Sequence, residues 1–125
     1  GALCLLTWCG TAEHAAACQA VDASGGLARL TPPSDLYTLA ALLQAADVFV
    51  GGDTGPMQLA AALGTPVVAL FTATSPTAGR PLGDGHCVLG GNGVPSTPEQ
   101  VFQCVADLVE RRWRRLECRT PAIAL

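Results

Sequence analysis

Apolar positions along the chain form short continuous runs and longer stripes of helical spacing. The continuous runs at residues 2–7, 47–50 and 66–71 are typical of strands buried in a parallel sheet. One helical stripe consists of Leu36, Leu39, Leu42, Leu43 and Ala46. Another consists of Val101, Cys104, Val105, Leu108 and Val109, and it continues toward Trp113 and Leu116. The pattern predicts strands that alternate with helices.

Glycine, proline and capping residues set the remaining boundaries. Further helices are predicted over 12–21 and 56–63, further strands over 27–30 and 86–89, and a long loop over 72–85. Ser34 is expected to cap the first striped helix, and Thr97 with Gln100 has the spacing of a capping box. This order predicts a single α/β domain over 1–125, a Rossmann-like parallel sheet with helices on both faces.

Charge and hydropathy exclude several classes of protein. The net charge is −3 and all seven basic residues are arginine, so a basic face for general nucleic-acid binding is not expected. No apolar run reaches the roughly 18 residues of a membrane span, and the first residues resemble core rather than a secretion signal. The cluster Arg111–Arg115 either contacts an acidic surface or, as we favour, stabilises the end of a helix.

The six cysteines form no Cys-x-x-Cys pair, which argues against a zinc knuckle or a thioredoxin-type site. Cys4, Cys18 and Cys104 fall at apolar positions, so we expect free thiols in a reducing cytoplasm, with a disulfide scaffold as the alternative. His14 is expected on a helix surface and His86 at a strand edge, neither in a metal site. Without any lysine the chain cannot hold a P-loop.

Three turns follow predicted strands, at 8–13, 51–58 and 72–80, and should gather at one sheet edge, where α/β proteins bind ligands. In the second turn, Asp53, Thr54 and Gly55 precede a helix whose N–H groups suit a diphosphate, with Asp53 accepting from a sugar hydroxyl. An Asx-type turn that only caps the helix is an equally good interpretation.

The other two turns also offer polar groups. Glu13 either holds ribose hydroxyls or, as we favour on its position alone, is an acid in the first turn of a helix. The loop with Thr74, Ser75 and Arg80 either closes over a phosphorylated ligand or is a solvated connection.

The run from Asp53 to Phe71, Asp-Thr-Gly-Pro-Met-Gln-Leu-Ala-Ala-Ala-Leu-Gly-Thr-Pro-Val-Val-Ala-Leu-Phe, closely resembles the signature of glycosyltransferase family 9. That family includes the ADP-heptose:lipopolysaccharide heptosyltransferases. The upstream leucine-rich helix, the Trp8-x-Gly10-x-x-Glu13 segment and the Thr74-Ser75-Pro76 loop match as well. The resemblance extends from about Leu3 to Val109.

This resemblance implies a GT-B glycosyltransferase, of which the chain is similar to the C-terminal, donor-binding domain. The implied reaction transfers heptose, or a related sugar, from ADP-heptose to the lipopolysaccharide core with inversion and without a metal or other cofactor. Glu13 would contact the adenosine ribose. The sugar and diphosphate would meet Asp53, Thr54, Gly55, Pro56, Met57 and Gln58, with further loop contacts from Thr74, Ser75 and Arg80.

Two departures from the family limit what the chain is expected to do. Gln58 stands where the family usually has histidine, so that position cannot become a cation. The acceptor-binding N-terminal domain with the catalytic base is not in the chain, which we expect to be inactive alone. The implied location is the cytoplasm, either free or peripheral at the inner membrane. The alternatives are a non-catalytic or degenerate nucleotide-sugar-binding module and another GT-B enzyme such as a sugar-nucleotide epimerase.

Overall fold

The computed structural model describes residues 2–117. Cys118 and the tail from Arg119, for which the sequence predicts no regular element, lie outside the described residues. The chain divides into two compact units, Gly1–Thr38 and Leu39–Leu125. The single domain that the sequence predicts over residues 1–125 stays a prediction.

In the first unit a short parallel pair of strands flanks one helix. Strand β1 (Cys4–Leu6) is followed by α1 (Gly10–Ala23) and β2 (Ala28–Leu30), and Cys4 lies opposite Ala28 in the parallel register. The hydroxyl of Ser24 closes α1, because it donates to the carbonyl of Val21 at 2.7 Å and accepts from the N–H of Ala28. The helix has no fully buried residue.

The second unit contains a three-stranded parallel sheet with β4 in the middle. Helix α2 (Leu36–Ala45) is followed by β3, α3, β4, α4, β5 and α5, which are Phe49–Gly52, Gly55–Ala62, Val67–Phe71, Pro76–Gly79, Cys87–Gly90 and Pro98–Glu117. The core is made of side chains from α2, α3 and β4, namely Leu43, Met57, Ala60, Ala61, Val67, Ala69 and Phe71. The buried hydroxyl of Thr65 donates to the carbonyl of Leu43 at 2.7 Å, so the turn before β4 leaves this polar group satisfied.

The predicted α/β class with parallel strands is confirmed, but the strands form two sheets rather than one. Burial at the start of the chain is also overestimated. Leu3 and Leu5 are 56% and 49% exposed, because β1 pairs only with β2 among the described residues. Leu36, Trp113 and Leu116 are more than half exposed as well, so both helical stripes are shorter on their inward side than predicted.

Capping distinguishes three of the predicted boundaries. Ser34 does not cap α2, since its hydroxyl donates to the carbonyl of Pro32. Asp35 takes that role by accepting from the N–H of Thr38 at 2.8 Å, and this hydrogen bond lowers the pKa of Asp35. The capping box before α5 is confirmed, because the N–H of Thr97 donates to Gln100 Oε1 and the N–H of Gln100 to Thr97 Oγ1. Within the predicted loop 72–85 the structure has a short helix, α4.

The five cysteines within residues 2–117 are divided between free thiols and one bridge. Cys4, Cys9 and Cys18 are free, whereas Cys87 and Cys104 form a disulfide between β5 and α5. The expectation that Cys104 is a free, core-filling thiol is therefore wrong. The bridge closes a loop with a sequence separation of 17 residues, for which loss of loop-closure entropy in the unfolded chain gives a stabilisation of about 3 kcal/mol.

Candidate functional site

The turn between β3 and α3 presents its polar groups at the carboxyl end of a strand. Strand β3 ends at Gly52, and Thr54 is the extended residue before the helix, with φ −142° and ψ 166°. Pro56 fits the first turn of α3 because the N–H it lacks would have no acceptor there. The N–H of Gly55 at the helix start has no acceptor within the helix and is exposed.

Asp53 is exposed, and its carboxylate makes no hydrogen bond or ion pair with any residue between 2 and 117. Thr54 makes no side-chain capping bond, and its hydroxyl instead donates to the carbonyl of Gly52 at 3.3 Å. An Asx-type turn would use the Asp53 carboxylate to hold the backbone. That alternative is therefore wrong, and Asp53 has its full acceptor capacity available.

The loop after β4 lies against this turn. A Cβ atom added to Gly79 would lie 2.8 Å from Asp53 Oδ1 and 2.9 Å from Oδ2. A larger residue at position 79 would therefore clash with the Asp53 carboxylate. Gln58 Nε2 donates to the carbonyl of Gly79 at 3.0 Å and lies 3.5 Å from the carbonyl of Arg80. Two of the three turns that the sequence places at one edge, 51–58 and 72–80, are thus brought together.

Loop residues at this edge divide into those with structural partners and those without. Ser75 caps α4 by accepting from the N–H of Thr77 at 3.3 Å, and the two hydroxyls lie 2.9 Å apart. Thr74 and Arg80 are exposed, and Arg80 forms no ion pair within the described part of the chain. Arg80 is consequently available to an anion, while Ser75 already has a structural role.

Met57 lies in the core, unlike the other residues that the family resemblance implies as contacts at this turn. It is 0% exposed and belongs to the core, so a direct contact between Met57 and a ligand at this turn is ruled out in the structure. Pro56 and Gln58 are half-buried. The groups that remain open to a ligand are the carboxylate of Asp53, the N–H of Gly55 and the guanidinium of Arg80. The hydroxyl of Thr54 is exposed, but its proton is donated to the carbonyl of Gly52.

The turn after β1 belongs to the first unit and has its own hollow. A cavity of about 270 Å³ is lined by Trp8, Gly10, Thr11 and His14. The Trp8 and His14 rings meet edge to face with centroids 4.4 Å apart, and the indole N–H donates to the carbonyl of Thr31 at 2.9 Å. His14 is half-buried in this pair and lies on α1, a helix without a fully buried residue. The sequence did not predict the contact between Trp8 and His14.

Glu13 lies in the first turn of α1. Its Oε2 accepts from the N–H of Cys9 at 2.7 Å, which gives the carboxylate a structural role at the helix start. The other carboxylate oxygen has no hydrogen bond within residues 2–117. Gly10 adopts φ 78°, a left-handed backbone that favours glycine and lets α1 begin directly after the strand and turn.

Across 2–117 no group of three or more histidine, cysteine or acidic residues is arranged to hold a metal ion. Within the same range no helix combines the length and apolar character needed to cross a bilayer.

The fold is similar to that of the E. coli heptosyltransferase WaaC with ADP, with a TM-score of 0.76 at 24% sequence identity. This likeness covers 83% of the present chain and 33% of the WaaC chain, so the chain spans about a third of the length of that protein. A search of curated proteins gave no match. A family model described as glycosyltransferase family 9 (heptosyltransferase) matches residues 2–110. Most of the chain lies within that match, and the chain belongs to glycosyltransferase family 9.

Proposed function

We propose that this chain binds the sugar-diphosphate part of a nucleotide-sugar donor at the turn between β3 and α3. The observation that carries the proposal is the exposed carboxylate of Asp53, which lies against Gly79 and has no partner among residues 2–117. A carboxylate that holds no backbone group is suited to accept hydrogen bonds from sugar hydroxyls. Membership of family 9 supports a donor sugar as the ligand.

The groups around Asp53 supply the anion-binding part. The Gly55 N–H lies at the positive end of an eight-residue helix. On this proposal the Thr54 hydroxyl rotates its proton from the carbonyl of Gly52 to a phosphate oxygen when the donor binds. Arg80 provides a guanidinium without a carboxylate partner in the described residues, which is suited to bidentate contact with phosphate oxygens. Together they would stabilise the charge on a departing diphosphate, with no step assigned to a metal ion.

The nucleoside part of the proposal rests on the turn after β1. Glu13 retains one carboxylate oxygen for a ribose hydroxyl. The Trp8–His14 pair offers an aromatic surface in the cavity that these two residues line with Gly10 and Thr11. We propose ADP-heptose as the donor because WaaC, a heptosyltransferase, has the same fold and its structure contains ADP.

The whole reaction needs more than this chain contains. We propose transfer of heptose to the lipopolysaccharide core with inversion, the acceptor and the catalytic base belonging to a second domain. The chain corresponds to a third of WaaC, and on this proposal it binds donor but does not turn over alone.

The same proposal locates the protein in the cytoplasm, either free or in peripheral contact with the inner membrane. The Cys87–Cys104 bridge stands against it, since disulfides are uncommon in a reducing compartment. Thiol titration of the protein as isolated from cells decides the point: cytoplasmic protein is expected to show both thiols reduced.

A second candidate, a non-catalytic binding module, is favoured by one contact. Gln58 replaces the usual histidine, and its amide is already engaged by the carbonyls of Gly79 and Arg80. It therefore adds no cation to the diphosphate. Donor binding without transfer, measured in a protein that has its second domain, would favour the module.

The test of donor binding is ligand protection against thermal unfolding. ADP-heptose at a hundred times its Kd should add about 2.7 kcal/mol to the free energy of unfolding. Asp53→Ala should abolish most of the gain. The matched control is Asp22→Ala, an exposed acid of α1 with no interaction in the described structure, and it should keep the gain. Equal protection of both variants, or none of the wild type, would refute the assignment.

A further inference from the structure

We propose that a second anion site lies at the opposite end of the three-stranded sheet and takes a phosphate group. The site is a cavity of about 420 Å³, here called the arginine cavity. Its lining comes from the end of α3, the approaches to β4 and β5, and the last turns of α5, including Gly64, Pro66, Gly83–His86, Arg111, Arg112 and Arg115.

Position separates the arginine cavity from the donor turn. Pro66 directly precedes β4 and His86 directly precedes β5, so the cavity lies at the amino ends of these strands. Asp53 follows the carboxyl end of β3, and β3 runs parallel to β4. A ligand in the cavity is therefore not part of the proposed donor site.

The arginine cavity is positively charged, whereas the whole chain has a negative net charge. Three of the seven arginines line it, although the net charge of the protein is −3. Arg112 is paired with Asp47, with Nε 3.5 Å from Oδ1. Arg111 and Arg115 form no ion pair within residues 2–117. The cavity thus has two unneutralised guanidinium groups and one lining acid, Asp84.

Arg114 shows that these charges are not simply a basic helix end. It lies in the same turn of α5 but does not line the cavity, and it forms an ion pair with Glu110 one turn earlier. Stabilisation of the helix dipole would be served by all four arginines alike. The arginines on the cavity side differ from Arg114. Arg111 and Arg115 have no carboxylate partner within residues 2–117, and Arg112 pairs with Asp47 outside α5.

The facing wall is a loop held in place by His86. Its Nδ1 accepts from the N–H of Val67 at 3.1 Å, and the ring therefore donates through Nε2 to the carbonyl of Leu82 at 3.0 Å. Between these anchors Gly83 and Gly85 adopt φ 91° and 88°, a backbone conformation that favours glycine. The backbone therefore carries no side chain at these two positions. A fixed glycine-rich backbone thus faces two arginines.

Phosphate is the ligand chemistry that fits. Two guanidinium groups one helical turn apart can contact a phosphate through paired N–H donors, which a single charge cannot do. The volume lies in the range of small-molecule pockets, about 300–1,000 Å³. Leu82 at the rim is 77% exposed, so the phosphate group could belong to a soluble ester or to a lipid head group.

The test is a titration of the ¹⁵N-labelled chain with pyrophosphate, followed by amide chemical shifts. Binding in the arginine cavity should shift the amides of Gly83, Asp84 and Gly85, whereas binding at the donor turn should shift those of Thr54 and Gly55. The two proposals are thereby read separately in one experiment. Vesicles of phosphatidylcholine with and without phosphatidylglycerol test the lipid source by co-sedimentation.

Variants decide whether the arginines are responsible. The double variant R111Q/R115Q should weaken binding at Gly83–Gly85, or to the anionic vesicles, at least about tenfold, because charge-assisted hydrogen bonds are lost. R114Q removes a charge from the same helix outside the cavity and should change binding less than about twofold. Loss in R114Q equal to that in the double variant would overturn the proposal. So would the absence of both the loop shifts and the vesicle binding.

Discussion

The turn after β1 and the turn after β3 occupy equivalent places between a strand and a helix, but their acids have different roles. Each leads from a parallel strand into a helix, and each offers a carboxylate near the helix start. Glu13 accepts from the N–H of Cys9 at 2.7 Å, whereas Asp53 has no partner among the described residues. An acid in this position either stabilises the helix or remains open for a ligand, and neighbouring contacts decide between the two.

The helices below these turns differ in the same direction. Helix α1 has 14 residues and none fully buried, while α3 has eight residues of which Met57, Ala60 and Ala61 are buried. The open carboxylate of Asp53 therefore lies in the turn that leads into the helix held by the core. Since a binding group must be held by rigid surroundings, the turn after β3 is the better placed of the two for precise recognition.

The largest expected effect comes from removing the support of α3. Met57→Ala should lower the free energy of unfolding by about 2–5 kcal/mol, because a fully buried side chain leaves a cavity in the core. Val21→Ala in α1, where the side chain is half-buried, should cost less than about 1.5 kcal/mol. Urea denaturation of both variants measures the difference. Equal losses would contradict the contrast between the two helices.

A smaller effect separates the two acids. Glu13→Ala should destabilise the chain by about 1 kcal/mol, because the N–H of Cys9 loses its acceptor. Asp53→Ala should leave the free energy of unfolding within about 0.5 kcal/mol, since no interaction is removed. The same denaturation measurement applies. A clear loss of stability in Asp53→Ala would contradict the interpretation that the Asp53 carboxylate has no structural role.

The smallest effect uses Asp35 as a reference for an acid engaged at a helix start. The Thr38 N–H lowers the pKa of Asp35 below its ordinary value of 3.8. The stabilisation is therefore fully present above pH 3.8 and is lost as the pH falls through the lowered value in the folded state. NMR titration of the Asp35 side chain gives the folded pKa. Asp35→Asn, which keeps an acceptor, should lack this part of the acid dependence.

The order of helices and strands was predictable because local patterns determine it. Continuous apolar runs and helical stripes identify all five strands and four of the five helices within residues 2–117. Caps were harder, since Ser34 and Asp35 are neighbours with similar capping preferences, and only Asp35 reaches the N–H of Thr38. The four-residue α4 is too short for a periodic signal.

Burial and the candidate site depend on contacts that spacing does not encode. The motif identified the turn after β3, but it did not reveal that Met57 points into the core or that Gly79 makes room for Asp53. The Trp8–His14 pair and the arginine cavity likewise require residues from separate segments to meet. The disulfide between Cys87 and Cys104 has the same origin, since its cysteines come from β5 and α5.

Gln58 links α3 to the loop after β4 through hydrogen bonds that involve no titrating group. An imidazole in its place would gain or lose a proton near neutral pH, and the loop would then respond to acidity. The carboxamide keeps its donors at every physiological proton concentration. The relation between loop and helix at this edge should accordingly be the same in mildly acidic and mildly alkaline surroundings.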